Sequence, residues 1–282
     1  MENEPLSPPL DVGSLRERLR DTVAELTVVS RTGSTNADLS VAARDGAPDR
    51  TVLVAELQDS GRGRLDRRWS SSPGAGLTFS VLLWPQGVPP QRLGWLPLLA
   101  GVALVRAVRA AAVGSAAGSE SGSPEPVAVL KWPNDLLVGP RRAKCAGLLA
   151  EVPTRGAVVV GIGLNTHAGE SDLPPDVLAT SLRLEGIQVS REGLLVDVLG
   201  ELLTTQARWR EAEGDAVACG LLDEYREYCS TLGSSVRVDR PGGALIGTAT
   251  QIDADGRLLV TGESGAVTAV AAGDVVHLRP AK

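Results

Sequence analysis

VAVLKWPNDLLVGPRRAKCAGLLAEVPTRGAVVVGIGLN, residues 127–165, decides the fold class. Three apolar, strand-like runs lie close together in it, at 127–131, 146–152 and 157–162. Pro133 and Asn134 turn the chain after the first, and the later joins are equally rich in Pro and Gly. No helical periodicity separates the runs, so they join as hairpins, and the expectation is an α+β unit built on a mixed or antiparallel sheet with packed helices.

Upstream, an apolar helix opens near Ser14, read as its N-cap, and presents Leu15, Leu19, Val23 and Leu26 on one face. A short strand around Val28 follows. Then come a turn at Ser34-Thr35-Asn36 leading into a helix, a strand at 51–57, a long polar loop at 58–76 and a strand at 77–84. The most apolar stretch, residues 93–105, contains Gly94, Pro97 and Gly101 and then meets Arg106 and Arg109. That is well short of the ~20 residues needed to span a bilayer, so it reads as a buried helix with Pro97 in its first turn. Residues 113–126 lack apolar content and read as a linker.

Downstream, amphipathic helices are expected at 191–209 and 216–230. From Gly233 the texture changes to five short strands separated by turn clusters, the pattern of a small β-barrel. The expected organisation is a tail and helix at 1–26, a main unit at 27–232 and a small C-terminal domain at 233–282.

Hydrophobic residues make up 43% of 282, ample for a core, and the net charge is -6. Nothing basic dominates, so no dedicated nucleic-acid binding is expected, and any polyanion must be held by a local cluster. The residues before the main unit provide one helix, whereas a DNA-reading helix-turn-helix needs at least two, so no DNA module is expected ahead of it. Three cysteines without metal-type spacing and an N-terminus without an apolar signal core suggest the cytoplasm and no membrane partner.

The local cluster is Gly61-Arg62-Gly63-Arg64-Leu65-Asp66-Arg67-Arg68-Trp69, four arginines and two glycines in nine residues. Glycine lets backbone N–H groups approach an anion, and the arginine fork matches phosphate and carboxylate oxygens. The bland reading is a solvated basic loop. Lys131-Trp132-Pro133-Asn134-Asp135 ends an apolar strand, so Lys131 is carried by a rigid element and supplies a fixed cation; the bland reading is a turn with an exposed lysine.

Gly-Arg-Gly-Arg-x-x-Arg-x-Trp, then Lys-Trp-Pro-Asn-Asp, Lys144-x-x-Gly147-x-x-x-Glu151 and Gly161-Ile162-Gly163-x-Asn165 together resemble biotin protein ligases. The order and spacing agree from about Ser34 to the C-terminus. The resemblance implies a class II synthetase-like catalytic domain followed by a small SH3-like barrel. It also implies that Ser34, Thr35, Asn36 and Gln58 recognise the biotin end, where neutral hydroxyls and amides suit the carbonyl and two N–H groups of a cyclic urea. For Ser34 to Asn36 a plain capping turn is the alternative.

By the same resemblance Gly61, Arg62 and Arg64 hold the carboxylate and α-phosphate with Lys131, and Gly147 belongs to the biotin subsite. Arg67, Trp69, Asn134, Lys144, Gly161, Gly163 and Asn165 belong to the ATP and adenylate side. Arg62, Arg64 and Lys131 are the implied catalytic groups. One departure is Asp66, which stands where these proteins usually carry a second glycine and could pair with Arg64 or Arg68.

His167 and His277, the only histidines, have no Ser, Cys or metal-spaced partner nearby in sequence, and no P-loop is present, so a hydrolase triad, a zinc site and Walker-type ATP binding are not expected. The resemblance implies ATP with Mg²⁺ held by its phosphates, biotin as substrate and a biotin carboxyl carrier domain of acetyl-CoA carboxylase as acceptor. A homodimer through a sheet edge stays open. Two other classes are a lipoate or octanoate transferase of the same architecture and a non-catalytic biotin-binding regulator. The first would not need the Ser34 to Gln58 set, and the second would need a DNA module or an impaired site.

Overall fold

The computed structural model describes residues 7–64, 67–70, 72–115, 127–240, 243–271 and 274–278. In chain order the elements begin with α1 (Val12–Leu19), β1 (Glu25–Val29), α2 (Thr35–Arg44), β2 (Thr51–Ala55), β3 (Gly61–Arg62), β4 (Arg68–Trp69) and β5 (Gly76–Leu83). Next come α3 (Trp95–Ser115), β6 (Ala128–Lys131), β7 (Asp135–Val138), β8 (Ala143–Glu151), β9 (Val158–Asn165), α4 (Arg191–Glu211) and α5 (Leu221–Tyr228). The last five strands are β10 (Ser235–Arg240), β11 (Gly243–Ile252), β12 (Leu258–Thr261), β13 (Val267–Val270) and β14 (Asp274–His277).

Seven strands form one mixed sheet in the order β1-β2-β5-β9-β8-β7-β6, with β1 and β2 parallel and the remaining pairs antiparallel. Side chains alternate across it with period two. Val52, Val54, Phe79, Val81, Val158 and Val160 enter the main core, while Leu53, Leu82 and Val159 meet Leu39 and Ala43 of α2 on the opposite face. α3 packs between the sheet, α4 and α5, which explains why it is apolar all round. It is long and apolar enough to cross a membrane by composition, yet it is mostly buried here. Its two arginines fasten it. Arg106 pairs with Glu224 at 2.8 Å and Glu201 at 3.4 Å, and Arg109 donates to the Ala128 carbonyl at 3.0 Å while lying over the Tyr228 ring.

Several local expectations are corrected. Asp11, rather than Ser14, caps α1: its carboxylate accepts the Ser14 N–H at 3.0 Å, and a carboxylate suits the positive end of a helix. The strand expected at 51–57 ends at Ala55, and that at 157–162 runs on to Asn165. The helix expected from 216 starts at Leu221, because Gly220 sits at φ 75° and interrupts the helical path. A fourth strand, β7, is not expected from the sequence, because four residues after a Pro-Asn turn carry too little pattern. The polar loop at 58–76 contains the β3–β4 ribbon. Of the expected linker, residues 116–126 lie outside the described residues, as does Asp66.

The C-terminal strands form a separate antiparallel sheet in the order β13-β12-β11-β10-β14, the expected small β domain. We propose a domain boundary at about residue 232; the buried core continues across it through Val236, Ala249 and Leu258. The turn before β12 docks on two buried tryptophans: Trp95 Nε1 donates to the Ala254 carbonyl at 2.7 Å and Trp132 Nε1 to the Gly256 carbonyl at 3.0 Å.

Candidate active site

The pairing register lays out the floor of the site. On the α2 face, Lys131 opposes Asp135, Asp135 opposes Gly147, Gly147 opposes Gly163 and Gly163 opposes Thr78, one row across five strands. At a strand spacing of roughly 4.8 Å, Lys131 stands roughly 14 Å along the row from Gly163. The neighbouring row runs Leu149, Gly161, Ser80. Three glycines thus meet where two rows cross β8 and β9, and the sheet presents bare backbone.

At one end stands the start of α2. Ser34 is its N-cap, its hydroxyl accepting the Ala37 N–H at 3.4 Å. Gln58 Oε1 accepts from Thr35 N at 2.7 Å and Thr35 Oγ1 at 3.0 Å. With that oxygen occupied, Gln58 offers N–H donors only. Asn36 Nδ2 donates to the Glu151 carboxylate at 2.8 Å and the Leu149 carbonyl at 3.3 Å, and Ser80 Oγ lies 2.6 Å from Asn36 Oδ1 and 2.7 Å from Thr35 Oγ1. The single Ser80 proton reaches one of these acceptors at a time. Thr35 and Asn36 are therefore engaged with protein, while Ser34 and the Gln58 amide nitrogen have bonding capacity left over.

Above the floor lies the β3–β4 ribbon. Gly61 is needed there, since a Cβ would stand 2.3 Å from the Trp69 carbonyl oxygen and 2.7 Å from Gln58 Nε2. The Trp69 ring rests on Gly163, where a Cβ would come within 2.3 Å of it, and its Nε1 is buried without a partner. Arg62 Nη1 pairs with Glu151 Oε1 at 3.1 Å. With side chains 53% and 29% exposed, such a pair is worth ~0–1 kcal/mol, so an incoming anion can compete for the guanidinium. Arg64 is half-buried at the end of the turn, its carbonyl accepting the Arg67 N–H at 3.2 Å, and Arg67 is exposed.

The other end is cationic. Lys131 has no ion-pair partner among the described residues, whereas Lys144 Nζ pairs with Asp135 at 2.7 Å beside Gly147. Asn134 Nδ2 donates to the Leu148 carbonyl at 2.9 Å, and Asn165 Nδ2 to the Thr180 carbonyl at 3.1 Å. These two amides hold turns in place, and Asn165 keeps an oxygen for other use.

Two contributors went unassigned in the sequence. Ser80, fully buried, was legible as a hydroxyl inside an apolar strand, and Glu151, last residue of the quoted motif, ties Arg62 to Asn36. This face carries neutral hydrogen-bonding groups at the start of α2 and cations at the far strand ends, and the three glycines between them make room for the Trp69 ring and the Asn36 amide to lie close on the strands. It suits an elongated ligand with a neutral polar head and an anionic centre.

A model of the Biotin/lipoate A/B protein ligase family matches residues 28–165, and one of the Biotin protein ligase C terminal domain matches residues 231–278. The chain is 41% identical over 284 residues to a biotin--[acetyl-CoA-carboxylase] ligase of Mycobacterium tuberculosis, covering 99% of both chains. It is 32% identical to the bifunctional ligase/repressor BirA of Bacillus subtilis over 84% of this chain and 69% of that one. Among solved structures, a biotin protein ligase from Aquifex aeolicus in complex with biotin and ATP aligns with a TM-score of 0.72 and 26% identity, over 91% of this chain and 99% of that one.

Proposed function

This chain belongs to the biotin/lipoate A/B protein ligase family, and from that premise we propose that it is a biotin protein ligase. It activates biotin with ATP to biotinyl-5'-AMP and transfers the acyl group to a lysine of a biotin carboxyl carrier domain of acetyl-CoA carboxylase. The observation that carries this reading is the layout of this sheet face, with neutral groups at the start of α2 (Ser34, Gln58), Arg62 on Glu151 beside them, Lys131 at the far strand end, and Gly147, Gly161 and Gly163 between.

At the neutral end, the Gln58 amide N–H and the Ser34 hydroxyl meet the cyclic urea. Thr35 orients Gln58, and Asn36 is locked over Gly161 by Ser80 and Glu151. A lipoyl ring, with no urea, would leave the buried Gln58 donors unmatched, at a cost of ~1–3 kcal/mol for each. Arg62, beside the start of α2, exchanges Glu151 for the substrate anion, and Arg64 and Lys131 hold the carboxylate against the α-phosphate. Trp69 carries the adenine side with Gly163 and Asn165, and Arg67, Lys144 and Asn134 border it.

The first step is a displacement at phosphorus: a carboxylate oxygen bonds to the α-phosphorus, the bond to the β-phosphate oxygen breaks, and pyrophosphate leaves. The protein contributes position and fixed positive charge. Magnesium fits on the phosphates rather than in a protein cage, since the one carboxylate in the floor row, Asp135, is paired with Lys144; when bound it would neutralise phosphate charge. In the second step the neutral ε-amine of the acceptor lysine attacks the acyl carbon, AMP leaves, and the nitrogen loses a proton.

Mass spectrometry of a carrier domain incubated with the chain, ATP and Mg²⁺, with biotin or lipoate offered in parallel, tests the reading. Addition of biotin, lost on Arg64→Ala, is expected; addition of lipoate instead would overturn the substrate, and no addition would overturn the activity. Exposed Arg62, Arg67 and Arg68 make the ribbon a tryptic site. Biotin with ATP together are expected to slow cleavage there several-fold by engaging the guanidinium groups; equal rates with and without them would argue against contact between these arginines and the ligands.

A further inference from the structure

Lys131 is only as well placed as the strand end that carries it, and that end is held from outside the main sheet. β6 is an edge strand, and the segment leading to the C-terminal sheet lies along it: the Leu130 carbonyl accepts from Ser230 N at 2.8 Å and Ser230 Oγ at 2.9 Å. The next residue, Thr231, is fully buried, and its Oγ1 accepts the Trp132 backbone N–H at 2.9 Å. Having accepted there, Thr231 has its own proton to place, and His277 Nε2 of β14 stands 3.1 Å away. A neutral imidazole protonated on Nδ1 takes that proton; an imidazolium could not. Burial, followed by the charges of Lys131 and Arg142, holds His277 down to about 4, so the neutral form prevails at physiological pH.

We propose that Thr231 and His277 are positioning residues for Lys131, so that the last strand of the C-terminal domain sets the geometry of adenylate formation through the chain His277–Thr231–Trp132. This rests on Lys131 acting as proposed above. Thr231 and His277 touch no substrate; they act by fixing the backbone on either side of the lysine. The Trp132 indole, donating to Gly256, adds a second anchor from the same domain. A small displacement of a charged group at a reacting centre is enough to cost ~10- to 100-fold in rate.

The test is single-turnover formation of biotinyl adenylate by the full chain, with thermal melting beside it. Thr231→Val is expected to slow the step about tenfold with biotin affinity little changed, Thr231→Ser to stay within twofold of the unsubstituted chain, and His277→Phe to follow Thr231→Val. In a Lys131→Ala background, Thr231→Val is expected to add no further loss, whereas a general structural defect would multiply. Should Thr231→Val not fold, His277→Phe, at a half-buried position, carries the comparison. Full activity of the folded valine or phenylalanine variant, or a full additional loss in the Lys131→Ala background, would overturn the positioning role. Absence of adenylate with the unsubstituted chain would instead overturn the assignment of function.

Discussion

Lys131→Ala is expected to slow biotinyl adenylate formation by ~100- to 1,000-fold, the usual effect of deleting one fixed group that stabilises developing charge. Stability should hardly move, since the side chain is partly exposed and has no ion-pair partner among the described residues. Lys144→Ala provides the contrast. That lysine is paired with Asp135 at 2.7 Å, so its charge is already balanced, and its removal is expected to cost tenfold or less. Release of pyrophosphate under saturating biotin and ATP measures both. Equal losses for the two variants would mean that the two cations share the work and that the strand-end lysine has no special place.

Gly161→Ala is expected to weaken biotin binding by ~10- to 100-fold while leaving the sheet intact. The added Cβ would fall 2.1 Å from Asn36 Oδ1 and 3.2 Å from Ser80 Oγ. β9 lies between β5 and β8, paired on both sides, so the backbone has little room to shift and Asn36 must move. Its displacement breaks the bonds from Ser80 Oγ to Asn36 Oδ1 and from Asn36 Nδ2 to Glu151, leaving Ser80 to Thr35 and Glu151 to Arg62. The start of α2 moves with Asn36, and with it Thr35, which orients Gln58. Calorimetric titration with biotin, paired with melting curves, reads the effect. Unchanged affinity would show that the amide of Asn36 yields without disturbing the urea end.

Glu151 shows how such a site can be written into a motif and still be missed. Its spacing from Gly147 is plain in the sequence, yet its partners Asn36 and Arg62 lie 115 and 89 residues away. Local pattern gave no reason to connect them. The same holds for Thr231 and Trp132, separated by 99 residues, and for His277, which reads as an ordinary structural histidine until β14 returns beside β10.

From the sequence alone came the α+β class, the burial of the long apolar helix, the small β domain after residue 232 as an expectation, and the two basic motifs with their resemblance to one family. These are one-dimensional properties: periodicity, turn chemistry and spacing within a few residues suffice for them. The β7 strand and the true cap of α1 fell below that signal because they depend on single residues or very short runs. Only the tertiary structure decided that Lys131, Gly147 and Gly163 stand in one row, that Arg62 rests on Glu151, and that the C-terminal sheet grips the strand end beside Lys131. The physical reason is that strand register is a long-range choice: a slip of one residue in any pair would turn the glycine floor to the core and the core to the floor, and only the packing of all the layers together selects the alignment that avoids it.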